Sequence, residues 1–220
     1  MELYFHQVRE TFHLMNDKIS YMMKVLSNGM LAQMYFGKGI ADRPLFDYLL
    51  EVAPRLLTAC VALGYYNFLL EHCRQEYPSY GTSDFRQPAI RIGQPNGSAL
   101  TEFTYVSHRV TKGKPPLTGL PATYCEDEEK ALTLMIELID APTQAVLELS
   151  YTIFHDEPAL SRSARIPSPV PHPTGAWCLA RPSPTDFTQP LVGYRFRVYR
   201  GQSAQDRAHR AVYRREIVRT

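Results

Sequence analysis

Apolar residues along most of this chain recur at every second position, the period of a half-buried strand. Thr11-Phe12-His13-Leu14-Met15 alternates weakly and predicts a first strand. In Ile19–Leu26, Ile19, Tyr21, Met23 and Val25 share one face. Ser27-Asn28-Gly29 follows, and Asn-Gly between apolar runs is a strong hairpin signal. Leu31–Phe36 is the return strand, so residues 19–36 are expected to form one β-hairpin. Leu56–Leu70, broken by Gly64, reads as two strands at 57–63 and 65–71. Further on, Ala89–Ile92 is short, Pro95-Asn96-Gly97 is a turn, and Ser98–Lys112 reads as a long strand. Ala131–Asp140 places Leu132, Leu134, Ile136 and Leu138 on one face, and Thr143–Phe154 does the same with Ala145, Leu147, Leu149, Tyr151 and Ile153. Asp140-Ala141-Pro142 joins the two, and Glu126-Asp127-Glu128-Glu129 reads as a solvated acidic turn. Half-buried antiparallel strands at short intervals predict an all-β fold, an antiparallel β-sandwich.

Two stretches break the alternation. Asp42-Arg43-Pro44 has the chemistry of a helix start, with Asp42 as N-cap and Pro44 early in the first turn. Leu45, Tyr48, Leu49 and Val52 fall at helical spacing and Pro54 stops the run, which predicts a short helix or a loop with a helical turn. The second stretch, Glu71–Ala89, has neither period and is punctuated by Pro78, Gly81 and Pro88. A loop with this many aromatic and charged residues is positioned for binding or for docking another part of the protein. Residue chemistry alone favours a surface crossover in which Asp84 and Arg86 pair.

Composition divides the chain at Arg165. Residues 1–165 hold 15 Lys and Arg against 19 Asp and Glu; residues 166–220 hold 9 Arg, no Lys and 3 acids. Prolines 167, 169, 171 and 173 open this tail, and Arg195, Arg197, Arg200, Arg207, Arg210, Arg214, Arg215 and Arg219 fill its end. It reads as a basic nucleic-acid arm, as a disordered or membrane-surface extension, or as the product of a reading-frame shift in GC-rich DNA. The last is favoured, because Lys vanishes while Trp177, Phe187, Tyr194, Phe196, Tyr199 and Tyr213 intervene; the same aromatics suit base stacking, which keeps the arm in view. The tail is expected to be poorly ordered, or helical only around 203–217. Another frame of the DNA past codon 165 would then continue the strands.

No apolar run approaches a membrane span of about 20 residues, and Met1–His6 lacks the pattern of a signal peptide. Cys60, Cys73, Cys125 and Cys178 are widely spaced and read as reduced thiols of a cytoplasmic protein. A glycosidase needs two carboxylates about 5–10 Å apart; Asp42, Asp84, Asp156 and Glu157 are candidates, none in a motif that demands the role. His72-Cys73 has no partner at metal-ligand spacing. Lys112-Gly113-Lys114 is not a phosphate loop, since no Gly-x-x-x-x-Gly-Lys precedes it. No catalytic residue, metal or cofactor is expected from the residues themselves.

The run Glu76-Tyr77-Pro78, Tyr80-Gly81 and Asp84-Phe85-Arg86 through Pro88-Ala89 resembles the N-terminal domain of family 36 α-galactosidases. Further landmarks follow in family order: Leu14–Tyr21, Tyr35-Phe36-Gly37-Lys38, Lys112–Pro115, Gly119–Tyr124, and Leu149–Phe154 to Arg162-Ser163-Ala164-Arg165. The resemblance covers roughly residues 9–165 and implies a β-supersandwich that precedes a catalytic (β/α)₈ barrel. It implies retaining hydrolysis of terminal α-galactosides by two Asp of that barrel, in a homo-oligomer. The barrel's Lys-Trp-Asp-like motif is missing here; the single tryptophan, Trp177, precedes a cysteine. The expectation is therefore a non-catalytic N-terminal fragment, residues 1–165, followed by the tail 166–220. By the resemblance, Asp42, Arg43 and Phe46 are where a neighbouring subunit's sugar pocket would be met, with an ordinary helix cap the competing reading. A carbohydrate-binding sandwich without hydrolysis, or a nucleic-acid role for the tail, are the alternatives. A truncated sandwich leaves edges unpaired, with 131–140 and 145–154 expected to be its stickiest strands.

Overall fold

A computed structural model describes residues 1–50, 70, 73–81, 88–90, 92–94, 96–116, 125 and 127–167, and the backbone of 178–179 and 194–196. Two antiparallel sheets face each other. The first has the order β1 (Glu2–His6), β2 (Thr11–Met15), β3 (Ile19–Val25), β4 (Leu31–Lys38). Between the sheets in sequence lies the short β5 (Ile92–Gly93). The second sheet contains β6 (Phe103–Lys112), β7 (Ala131–Asp140), β8 (Ala145–Phe154) and β9 (Leu160–Arg165) in sequential order. In the tail, the backbone of β10 (Cys178–Leu179) pairs with β5 and that of β11 (Tyr194–Phe196) pairs with β9. The anticipated helix around 203–217 and the strands at 57–63 and 65–71 fall outside the described residues, Leu70 apart.

The alternating residues meet as their period requires. Phe12, Leu14, Ile19, Tyr21, Met23 and Val25 from the first sheet pack on Leu134, Ile136, Leu138, Leu147, Leu149, Tyr151 and Ile153 from the second. Burying a side chain of this size contributes about 1.5–3 kcal/mol, so this shared layer dominates the fold. The 19–36 hairpin turns at Gly29, whose φ of 83° is open to glycine at little cost; a Cβ there would also sit 3.1 Å from the Cβ of Thr104.

Three expectations need correcting. Glu2–His6 is a strand, although it alternates too briefly to stand out alone; β2 recruits it through five paired residues. The long strand starts at Phe103 rather than Ser98, because local contacts compete for the lead-in: Ser98 Oγ takes the Leu100 N–H and Ser79 Oγ bonds the Thr101 carbonyl. Over 42–50 the structure holds a loop with one 3₁₀ turn, Asp47–Leu49, which fits the expected loop with a helical turn; the expected cap is what fails, since the turn lacks a side-chain cap. Asp42 caps nothing there because its carboxylate is bound elsewhere.

The aperiodic stretch fastens the sheets together. Gln33 N–H donates to the Arg74 carbonyl at 2.6 Å and Glu76 N–H to the Leu31 carbonyl at 3.0 Å, extending the edge of β4. Ser79 bridges Ile90, and Thr101 N–H reaches the Tyr80 carbonyl at 3.3 Å. Asp84 and Arg86 fall outside the described residues.

Candidate functional site

The loop after β4 lies across the outer face of the first sheet. β strands alternate their side chains, so Tyr21 and Met23 point to the core while Ser20, Met22 and Lys24 point outward. Phe46 is buried on that outer face with Met22 and Met34. Its ring meets the edge of His13 at 5.5 Å and lies 6.4 Å from His6. Asp42 Oδ1 accepts a hydrogen bond from His13 Nδ1 at 2.7 Å and one from His6 Nε2 at 3.0 Å. At the far end Asp47 pairs with Lys24, and with Arg9 at 3.4 Å. Between these anchors Arg43 is exposed, as are Leu45 and Tyr48 at 50% and 69%. The structure thus brings Asp42 and Phe46 together around His13 and leaves Arg43 to face outward.

The electrostatics follow from burial. His13 is fully buried. Burial lowers its pKa and the Asp42 bond restores only part, so its imidazole is neutral at pH 7. Burial raises the Asp42 carboxyl, but the bonds from His13 and His6 more than offset this and hold it below its usual value. His13 Nε2 lies 3.0 Å from Ser20 Oγ, which also accepts the Ile40 N–H at 3.0 Å. Ser20, His13 and Asp42 therefore share the hydrogen-bond order of a hydrolase triad. They cannot act as one, because Ser20 is fully buried and its oxygen is already engaged by backbone. The arrangement is a clip for the loop.

The second polar cluster ties the two sheets. Glu76 is buried and its carboxylate accepts the hydroxyls of Tyr21 and Tyr151, the latter at 2.9 Å, and the Arg162 guanidinium. The same guanidinium bonds the Glu76 carbonyl at 2.9 Å and lies 5.2 Å from the centre of the Tyr151 ring. Burial pushes both phenols far above their ordinary pKa. It also works against the Arg162 charge, but Glu76 outweighs it and the proton is held more firmly than usual.

Other predicted positions do not converge. Asp156 is exposed and bonded to His155 at 2.7 Å. Cys73 is buried, and His72 and Asp84 lie outside the described residues. Asp140 is consumed by Thr143 and by the Glu102 N–H at 2.6 Å. Among the described residues no group of His, Cys, Asp or Glu could hold a metal ion, and no helix is long and apolar enough to cross a membrane. Sequence reasoning missed His6, His13, Glu76 and Arg162. The signal available for His13 was a polar residue in an apolar strand next to the Asn16-Asp17 turn.

The glycosyl hydrolase family 36 N-terminal domain matches residues 29–175, which runs past the compositional break at Arg165. The chain belongs to that family. Alpha-galactosidase AgaA of Geobacillus stearothermophilus is 38% identical over 171 residues, covering 75% of this chain and 22% of the relative. The solved alpha-galactosidase of Lactobacillus brevis superimposes with a TM-score of 0.70 at 34% identity, covering 74% of this chain and 22% of that one. A variant of AgaA solved in complex with raffinose matches at 40% identity and a TM-score of 0.66, covering 71% and 22%. The chain thus spans about a fifth of the length of the relatives it matches. Of the elements described, β4, the Glu76 loop and strands β5 to β9 lie within the matched residues.

Proposed function

We propose that this chain serves as the N-terminal sandwich of a cytoplasmic α-galactosidase, and that hydrolysis is carried out by a barrel domain rather than by residues 1–165. The observation that carries the reading is the match itself, made to α-galactosidases and confined to 22% of their length. The chemistry agrees: the buried carboxylates Glu76 and Asp140 are each spent on structural bonds, and Asp42 is spent on two histidines. Cys73 and Cys125 as thiols fit a reducing compartment.

Within that reading the Asp42–Phe46 segment is the point of approach to a neighbouring subunit's galactoside pocket in a homo-oligomer. Its roles divide by exposure. Asp42 and Phe46 hold the segment down, while Arg43 and Tyr48 are exposed and displayed for contact. One set of assays tests both levels. The purified chain alone is expected to release no galactose from raffinose above a buffer blank. A chimera joining residues 1–165 to the remaining domains of AgaA is expected to hydrolyse it. Arg43→Ala in the chimera should raise KM several-fold with kcat little changed, the pattern of lost ground-state binding. Turnover by the chain alone overturns the division of labour. Unchanged KM in the Arg43→Ala chimera overturns the contact. Saturable binding of raffinose by the isolated chain would favour a stand-alone carbohydrate-binding sandwich instead.

A further inference from the structure

We propose that the buried His13 forms a proton-responsive clamp on Asp42, and that acidification below neutral frees the Asp42 end of residues 41–50 from the outer face of the first sheet while the sandwich stays folded. The inference concerns the segment named above but does not depend on its meeting a sugar.

The geometry sets up two states. In the closed state two imidazoles from adjacent strands converge on one oxygen of Asp42, at 2.7 and 3.0 Å. His13 is sealed beneath the loop. Both its nitrogens are used, Nδ1–H donating to Asp42 and Nε2 accepting from the Ser20 hydroxyl at 3.0 Å. A second proton on this ring would have to reverse the Ser20 bond. The serine hydrogen would then turn to the Ile40 carbonyl at 3.4 Å, the poorer partner. It would also place a charge in a pocket walled by Phe46 and the Tyr4 ring, 5.5 and 6.3 Å away. The other ionisable groups facing the pocket are His6 and Tyr4 on β1, with Glu2 bonded to the Tyr4 hydroxyl, and Asp42 in the loop. From β3 the contribution is the neutral Ser20, with Lys24 engaged farther along by Asp47.

Freeing the Asp42 end opens the His13 imidazole to water, where protonation is unhindered. The open state therefore binds protons that the closed state resists, and lowering the pH favours it. The signs agree. The His13 pKa is depressed in the closed state, so closure loses stability as pH falls through the ordinary histidine range near 6.5. Asp42 is also depressed, so it adds to the loss only in stronger acid. Only the Asp42 end responds in this way. Phe46, buried with Met22 and Met34, and the Lys24–Asp47–Arg9 pairs make no hydrogen bond to the His13 ring, and they keep the freed segment tethered.

Hydrogen exchange read by mass spectrometry on the full 220-residue chain tests this. Between pH 7.5 and 5.5, after correction for intrinsic exchange chemistry, peptides spanning 39–50 should gain exchange by about fivefold or more. Peptides within 131–154 should stay protected. His13→Gln keeps a donor and an acceptor but cannot titrate, and should abolish the step. Proton NMR of the unmodified chain gives an independent reading: the His13 imidazole should titrate together with loop opening. The proposal is overturned if the 39–50 step is absent, if it persists in His13→Gln, or if 131–154 loses protection in parallel. It also fails if His13 titrates between pH 8 and 5 with no change in the loop.

Discussion

Arg162 shows how much one side chain can carry. Its guanidinium is bonded to Glu76, whose side chain is fully buried, and it comes from a strand 86 residues away in sequence. Replacing a buried pair by apolar groups can be nearly neutral, but removing one partner strands a charge. Arg162→Met is therefore expected to lower stability by about 3–5 kcal/mol, a large part of the roughly 5–15 kcal/mol of an ordinary domain. Glu76→Gln with Arg162→Met should recover much of it. Denaturant titration of the single and double variants checks both. If the single variant loses under about 1 kcal/mol, the pair is a surface-like ion pair and Glu76 is being compensated by its tyrosines. The pair was hidden in the sequence for a physical reason. Glu76 sits in an aperiodic stretch and Arg162 among the polar residues of a short strand, both ordinary places for solvated charges, and only tertiary docking makes them partners.

At the scale of elements, legibility followed locality. The 19–36 hairpin was readable because Asn28-Gly29 and the period-two residues specify it without outside help, and β7 and β8 were readable for the same reason. The Asp42 segment was not. Its capping reading uses only neighbouring residues, whereas the carboxylate bonds histidines 29 and 36 positions earlier. Arg43 and Phe46 were assigned together on resemblance, yet one faces water and the other is packed under the loop. Turns are held by similarly specific bonds. Buried Asn16 donates to the carbonyls of Phe154 and Glu157 at 2.6 and 3.0 Å and accepts the N–H groups of Lys18 and Ile19 at 2.9 and 2.8 Å. It shapes the β2–β3 turn and pins it to the end of β8. Asn16→Ala should cost about 2–3 kcal/mol, since it leaves buried backbone groups unbonded. A thermal melt of the variant with unchanged midpoint would show that water replaces those bonds.

For the whole molecule, the edges decide association. The strands 131–140 and 145–154 were expected to be the stickiest, and the structure corrects this. They are β7 and β8, paired on both sides within the second sheet. One end of that sheet is β6, with Val106 and Val110 exposed at 50% and 44% and Arg109 and Lys112 also on the surface. Positive charges on an edge are a known protection against strand addition. Val106→Lys with Val110→Lys should extend that protection and reduce light scattering of the concentrated chain. Equal scattering would place the adhesive surface elsewhere.

The 86-residue span between Glu76 and Arg162 also has a consequence in time. A chain made from its N-terminus completes the first sheet and the Glu76 loop well before β9 exists. Until Arg162 arrives, the carboxylate lacks the guanidinium that accompanies it out of water in the folded protein, so closing the two sheets over it is costly. Closure across so long a loop is intrinsically slow, and the ion pair can form only as the last water leaves. The pair should therefore act mainly on the unfolding rate, as a lock set late in assembly and the first to be felt when it is lost.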